Sequence, residues 1–180
     1  MLTTKIKKFC VAVLITLTLA IVAARAVAGS GHVTDRQLQQ GTRDTSGWYH
    51  YGGNYENWRF SPLATINRAN VAKLAPAWIF QTGVPGQMAN SPIVADGRLY
   101  VTSAYNHVWA LDARTGDPLW HYQYDLPADV RLCCGPANRG VAIHGKHVFM
   151  ATLDAHLVAL DRDTGEVVWE TEIDDYAKGF

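Results

Sequence analysis

Two adjacent cysteines, Cys133 and Cys134, are the residues of this chain whose types and spacing most directly suggest chemistry. Adjacent cysteines can bond to each other only in a small ring that includes their own peptide bond, with Cα atoms about 3.8 Å apart or less, below the usual disulfide range. Such a ring closes too short a loop to add much chain-entropy stabilisation, but it offers a rigid, flat, polarisable sulfur surface to a planar ligand. The alternative is a reduced pair of small buried hydrophobic side chains.

The residues after the cysteine pair favour a binding role. A Gly-Pro turn follows, Asn138 can hydrogen-bond locally, and Arg139 brings a planar fork of donors close to the sulfurs. Carboxylates pair with such a guanidinium in a bidentate manner. The residues therefore predict a site for a flat, anionic ligand, with Cys133, Cys134 and Arg139 as its candidate contacts.

The first 28 residues predict an export signal, with a basic start, an apolar run from Phe9 to Ala24 and small residues at positions 26–28. We expect cleavage after Ala28. The alternative is an uncleaved membrane anchor, although the 16-residue run is shorter than the roughly 20 residues of a bilayer span. In residues 29–180 the only cysteines are the adjacent pair, and an oxidising compartment favours a disulfide between them.

Loss of the signal changes the charge balance of the chain. The whole chain has 16 Lys and Arg against 16 Asp and Glu, and four of the basic residues lie in residues 1–28. Residues 29–180 therefore keep 12 basic against 16 acidic residues. A mildly acidic protein argues against nucleic acid as a partner.

An internal repeat determines where the cysteine pair lies. VWALDARTGDPLW, which ends at Trp120, matches LVALDRDTGEVVW, which ends at Trp169, at an offset of 49 residues without a gap. Each unit predicts four short strands, which in the first unit cover 91–95, 99–103, 108–112 and 119–122. Four-stranded units of about 40 to 50 residues are typical of β-propeller blades, whose faces are buried by neighbouring blades.

The repeated residues predict structural roles in such blades. Gly116 and Gly165 can adopt positive φ in the tight turn between the third and fourth strands. Trp120 and Trp169 each offer a large apolar surface to the next blade, and Trp78 indicates the end of a preceding blade. We therefore expect an all-β fold of about three partial N-terminal blades of a propeller, forming an incomplete domain after the signal.

Two other polar groupings are interpreted as structural. The pair His144-x-x-His147 has no third ligand at a zinc-like spacing and predicts a solvated hairpin. Asp161-x-Asp163 coincides with the repeat's tight turn and lacks the downstream glutamate of an EF-hand. We also expect one helical turn over residues 70–74, capped by Asn67.

The segment CCGPANRG at 133–140 resembles the quinoprotein alcohol dehydrogenases that use pyrroloquinoline quinone (PQQ). The Trp repeats, YGGN at 51–54 and RFSPL at 59–63 add to the resemblance, which covers the chain from about Trp48 onward. It implies an eight-bladed propeller with PQQ near its axis, held between a vicinal disulfide and a tryptophan. By position, Cys133 and Cys134 are similar to that disulfide, and Arg139 to the arginine that hydrogen-bonds the quinone.

The resemblance also implies a function. Family enzymes oxidise primary alcohols in the periplasm and pass the electrons to a cytochrome c, with calcium or a lanthanide polarising the quinone and an aspartate as base. We expect the metal ligands, that aspartate and the sandwiching tryptophan in remaining propeller blades beyond residue 180, so no residue here is assigned to them. Ala89 stands where the family often has a glutamate. The alternative function is a non-catalytic periplasmic Trp-repeat propeller scaffold that binds protein partners.

Overall fold

The structure is a computed structural model that describes residues 31–178. The export signal predicted for residues 1–28 lies outside the described residues. Residues 32–178 form one compact unit. Within residues 31–178, no helix has both the length and the apolar character that crossing a membrane requires.

Two four-stranded antiparallel sheets form the centre of this unit, and the strands of each lie side by side in chain order. The first sheet contains β1 (Ile93–Ala95), β2 (Arg98–Ser103), β3 (His107–Asp112) and β4 (Pro118–Gln123). The second contains β5 (Val141–His144), β6 (His147–Ala151), β7 (His156–Asp161) and β8 (Val167–Glu172). The two sheets are the blades that the repeat predicts, and every predicted strand of the first sheet is present.

Alternating side chains of the inner strands form the shared hydrophobic core. Side chains two residues apart on a strand share a face, so β3 and β7 each direct a row of apolar groups inward. The core residues of the inner strands are fully or almost fully buried: Tyr100, Val108, Ala110, Val148, Met150, Val158 and Leu160.

The turns between the third and fourth strands of both blades have the same geometry. Asp112 accepts two backbone N–H bonds from its own turn at 2.8 and 3.1 Å, and Asp161 does so at 2.8 and 3.0 Å. Four residues after each aspartate, Gly116 and Gly165 both have φ 77°. Asp161 therefore stabilises a turn, as the sequence interpretation has it.

Contacts of tryptophan on glycine join successive repeats. A Cβ atom added to Gly116 would lie 2.5 Å from the ring of Trp78, and one added to Gly165 would lie 2.7 Å from the ring of Trp120. Each indole N–H donates to the backbone carbonyl three residues before that glycine, at 3.3 and 2.9 Å respectively. Trp120 thus packs on the next blade as predicted. The third member, Trp169, is 40% exposed.

A buried arginine also links the two blades. Arg162, in the turn after β7, is 3% exposed, and its Nη2 lies 2.8 Å from Asp96 Oδ2 in the turn between β1 and β2. Its Nε and Nη1 atoms have no hydrogen-bond partner among the described residues. The ion pair with Asp96 therefore carries most of the compensation for burying this charge.

The segment before the first sheet contains little regular structure. Helix α1 (Asp35–Gln40) is capped by Thr34, which forms with Gln37 a capping box that the sequence analysis did not predict. The helical turn expected at 70–74 is a 3₁₀ turn at Val71–Lys73. Residues 76–81 form no strand. The preceding blade predicted from Trp78 is therefore seen as the contact that this tryptophan makes with the first sheet's β3–β4 turn.

Candidate functional site

The cysteine pair lies on the loop that connects β4 of the first blade to β5 of the second. Cys133 and Cys134 are both exposed and are free thiols in the structure. The alternative of a buried hydrophobic pair is therefore wrong. The disulfide between them stays a prediction.

The structure brings the three predicted contact residues together around one cavity of about 380 Å³. That volume falls in the range of small-molecule sites. The cavity is lined by Gln87, Ala89, Leu132, Cys133, Cys134, Gly135, Ala137, Arg139 and Leu153. Ala89 thus lies beside the cysteines and Arg139, at the position where the resemblance expects a pocket residue.

The chemistry of this lining suits a flat, anionic molecule. Arg139 is the one charged side chain among the lining residues, and leucine and alanine side chains supply apolar walls. The pKa of the Cys133 thiol is raised, first by its hydrogen bond with Cys134 and then by the charge of that neighbour, while Arg139 acts in the opposite direction. At neutral pH the Cys133 thiol is therefore uncharged, and it shares the cavity with the single guanidinium group of Arg139.

Two further cavities in residues 31–178 lack this combination. One of about 220 Å³ lies between residues 42–48 and 61–63 and has a mainly apolar lining. The other, of about 650 Å³, is open to solvent and is lined by Tyr105, His107 and Asp125 among others. Neither contains a cysteine or an arginine, so their linings do not have the features that the flat anionic ligand requires.

The histidines take part in local contacts. His107 and His121 stack with Trp109 and lie 2.9 Å apart between Nδ1 and Nε2. Burial lowers the pKa of both imidazoles, and for His107 the neighbouring His121 adds to the effect. His144, at the end of the β5–β6 hairpin, lies 2.7 Å from Asp35. In residues 31–178 no three His, Cys, Asp or Glu side chains converge to hold a metal ion.

Comparison with known proteins identifies the family. Residues 48–172 match the family model described as PQQ, "Glucose/ethanol/alcohol dehydrogenase, beta-propeller domain". The quinoprotein alcohol dehydrogenase PedH of Pseudomonas putida is 41% identical over 165 residues, which are 89% of this chain and 28% of PedH. The chain therefore spans less than a third of the length of this relative.

Solved structures agree with the sequence match. The quinohemoprotein alcohol dehydrogenase from Comamonas testosteroni superposes with a TM-score of 0.73 and 34% identity, over 84% of this chain and 23% of that one. A europium-containing methanol dehydrogenase gives a TM-score of 0.69 and 34% identity, over 78% of this chain and 25% of that one. The family-model match and the identity with these relatives show that the chain belongs to the PQQ-dependent quinoprotein dehydrogenase family of β-propellers.

Proposed function

We propose that this chain supplies one wall of the PQQ site of a dehydrogenase that oxidises primary alcohols. The observation that carries the proposal is the shared cavity of Cys133, Cys134 and Arg139, three residues selected from sequence. Family membership supports PQQ as the ligand. The names of PedH and of the europium-containing methanol dehydrogenase support an alcohol as the substrate class.

The residues of the chain fit such a ligand. PQQ, when bound, would accept the electrons that leave the alcohol. Cys133 and Cys134, joined as a disulfide in an oxidising compartment, would lie against the ring plane, and the planar donors of Arg139 would bind its oxygen atoms. Leu132 and Leu153 would exclude water from the edges of the cavity.

The proposal extends to the metal ion, the location and the electron acceptor. Calcium or a lanthanide would complete the site, and the europium-containing relative supports the lanthanide option. Remaining propeller blades would carry the metal ligands. The export signal predicted for residues 1–28 supports a periplasmic location, where a cytochrome c would receive the electrons.

Equilibrium dialysis of the full chain against PQQ tests the cofactor role. We expect saturable binding by the unaltered chain and about tenfold weaker binding by Arg139→Gln and by the double variant Cys133→Ala, Cys134→Ala, because each removes one contact surface. Arg114→Gln is the matched control, since Arg114 is an exposed arginine of the β3–β4 turn that does not line the cavity.

The binding result has two outcomes that oppose the proposal. One is the absence of bound PQQ with the unaltered chain at every PQQ concentration tested, and the other is binding by the Arg139 and cysteine variants that equals binding by the Arg114 control. Fractionation of cells tests the location separately, and recovery of the protein in the cytoplasm alone would contradict it.

A further inference from the structure

One buried amide holds a loop whose functional side chains are exposed. Asn138 is 2% exposed, whereas its neighbour Arg139 and both cysteines are exposed. A buried amide side chain is unfavourable unless its donors and acceptor are paired. The partners of Asn138 therefore determine where this part of the loop can lie.

The hydrogen bonds of Asn138 reach both blades. Its Nδ2 group donates to Asn106 Oδ1 at 3.0 Å and to the Ala151 carbonyl at 3.0 Å. Its backbone carbonyl accepts from the Thr102 hydroxyl at 3.4 Å. Thr102 and Asn106 belong to the first blade and Ala151 belongs to the second. Asn138 therefore attaches the loop to two blades at once.

The same amide fixes the backbone on either side of Arg139. Asn138 Oδ1 accepts the N–H of Gly140 at 3.0 Å and so closes an Asx turn around Arg139. This turn sets the direction in which the Arg139 side chain leaves the loop.

The turn that receives the loop is in an uncommon conformation. Tyr105 and Asn106 both have φ 59°, in the left-handed region that costs a tyrosine free energy and that asparagine tolerates better. The Tyr105 N–H donates to the Pro136 carbonyl at 2.9 Å, which is a second attachment of the loop to this turn. Strained turns persist where the surrounding contacts hold them, and here the loop supplies those contacts.

We propose that Asn138 is a positioning residue, which sets the placement of Cys133, Cys134 and Arg139 along the cofactor wall by tying their loop to both blades. The identity of the ligand rests on the proposed function above. The placement of the loop is independent of any ligand and can be measured without one.

Amide hydrogen exchange in the full chain, read residue by residue by NMR, tests the positioning role. In Asn138→Ala the informative amide is Tyr105, whose own acceptor on Pro136 is unchanged, and we expect its exchange to become about tenfold faster because the loop detaches. Asn106→Gly keeps the positive φ but removes the Asn106 acceptor of Asn138. Here the informative amide is Gly140, whose own acceptor on Asn138 is unchanged, and we expect its exchange to become faster as well.

Two controls separate positioning from a general loss of stability. Val148→Ala removes buried volume from the second blade but no hydrogen-bond partner of Asn138, and it should leave the exchange of Tyr105 and Gly140 unchanged. The Gly165 amide, in the turn after β7, should exchange at the same rate in Asn138→Ala as in the unaltered chain.

Exchange of Tyr105 at the unaltered rate in Asn138→Ala would overturn the proposal. So would a tenfold increase that Val148→Ala reproduces. PQQ affinity gives a second reading, with about tenfold weaker binding expected in Asn138→Ala and no change in Val148→Ala. Absence of PQQ binding by the unaltered chain would refute the proposed function, and the exchange rates would still decide whether Asn138 holds the loop.

Discussion

Replacing Gly165 with alanine places a methyl group in the position that the ring of Trp120 occupies. The added Cβ would lie 2.7 Å from Cδ2 and Cε3 of the indole and 3.1 Å from Cγ. Trp120 is 8% exposed and donates a 2.9 Å hydrogen bond to the Arg162 carbonyl. The ring must therefore leave its position, and it loses both packing and this hydrogen bond.

The expected destabilisation has a backbone part and a contact part. Alanine at φ 77° costs about 1–2 kcal/mol because the residue is left-handed. The lost hydrogen bond costs about 1 kcal/mol, and partial loss of indole burial costs on the order of 2 kcal/mol. We therefore expect Gly165→Ala to lower the free energy of unfolding by about 4–5 kcal/mol.

Gly97→Ala is the matched control. Gly97 has φ 75°, and a Cβ added there meets nothing within 4 Å. It should cost the backbone part alone, about 1–2 kcal/mol. Urea unfolding of the full chain, followed by far-UV circular dichroism, measures both variants.

If Gly165→Ala and Gly97→Ala lowered the free energy of unfolding by equal amounts, the predicted cost of displacing the Trp120 ring would be wrong. A second comparison uses Trp120→Ala as the background, in which Gly165→Ala should cost about 1–2 kcal/mol because the ring is absent. If the full loss of about 4–5 kcal/mol remained in that background, the ring contact would not be the cause.

Three further predictions concern charged groups. Burial lowers the pKa of His107 and His121 in the folded chain, so the unfolded chain binds more protons below about pH 6.5. The free energy of unfolding should therefore fall as pH drops through that value. When both histidines are replaced by asparagine, urea titrations should show a weaker dependence of this free energy on pH. Backbone N–H bonds lower the pKa of Asp161, so the stability that this carboxylate contributes is lost as pH falls below 3.8. Because Asp161→Ala lacks that contribution, its Tm should fall less on acidification than the Tm of the unaltered chain. Asp96→Asn leaves the buried Arg162 unpaired and should cost about 3 kcal/mol in urea unfolding, part of which Arg162→Met should restore. A steep pH profile in the histidine variant, an unchanged acid response in Asp161→Ala or a neutral Asp96→Asn would contradict the respective prediction.

The repeat made the blades predictable because it gave two aligned copies of the same strand pattern. Ala110 pairs with Trp120 and Ala159 pairs with Trp169 in the same register, and both sheets have an irregularity directly after the alanine. The position of Trp120 on a glycine of the next blade depends on how one blade is rotated against the other, which a strand pattern does not contain. Helix α1, which Thr34 caps, was not predicted although its capping box is visible in the sequence.

The candidate site was predictable where it depends on residue type and was missed where it depends on distant contacts. The cysteine pair and Arg139 were predicted as ligand contacts from their residue types, and all three line one cavity. The burial of Asn138 arises from Asn106, 32 residues earlier, and from Ala151, 13 residues later. Only the packing of two blades against each other brings those groups to the loop.

Binding of PQQ at the cysteine pair can be located by mapping which backbone amide resonances of the full chain move when PQQ is added. We expect the largest shifts at the amides of Ala89, Cys133, Cys134, Arg139 and Leu153, which surround one cavity. Shifts centred instead on the open hollow at Tyr105, His107 and Asp125 would contradict it, as would the absence of any shift.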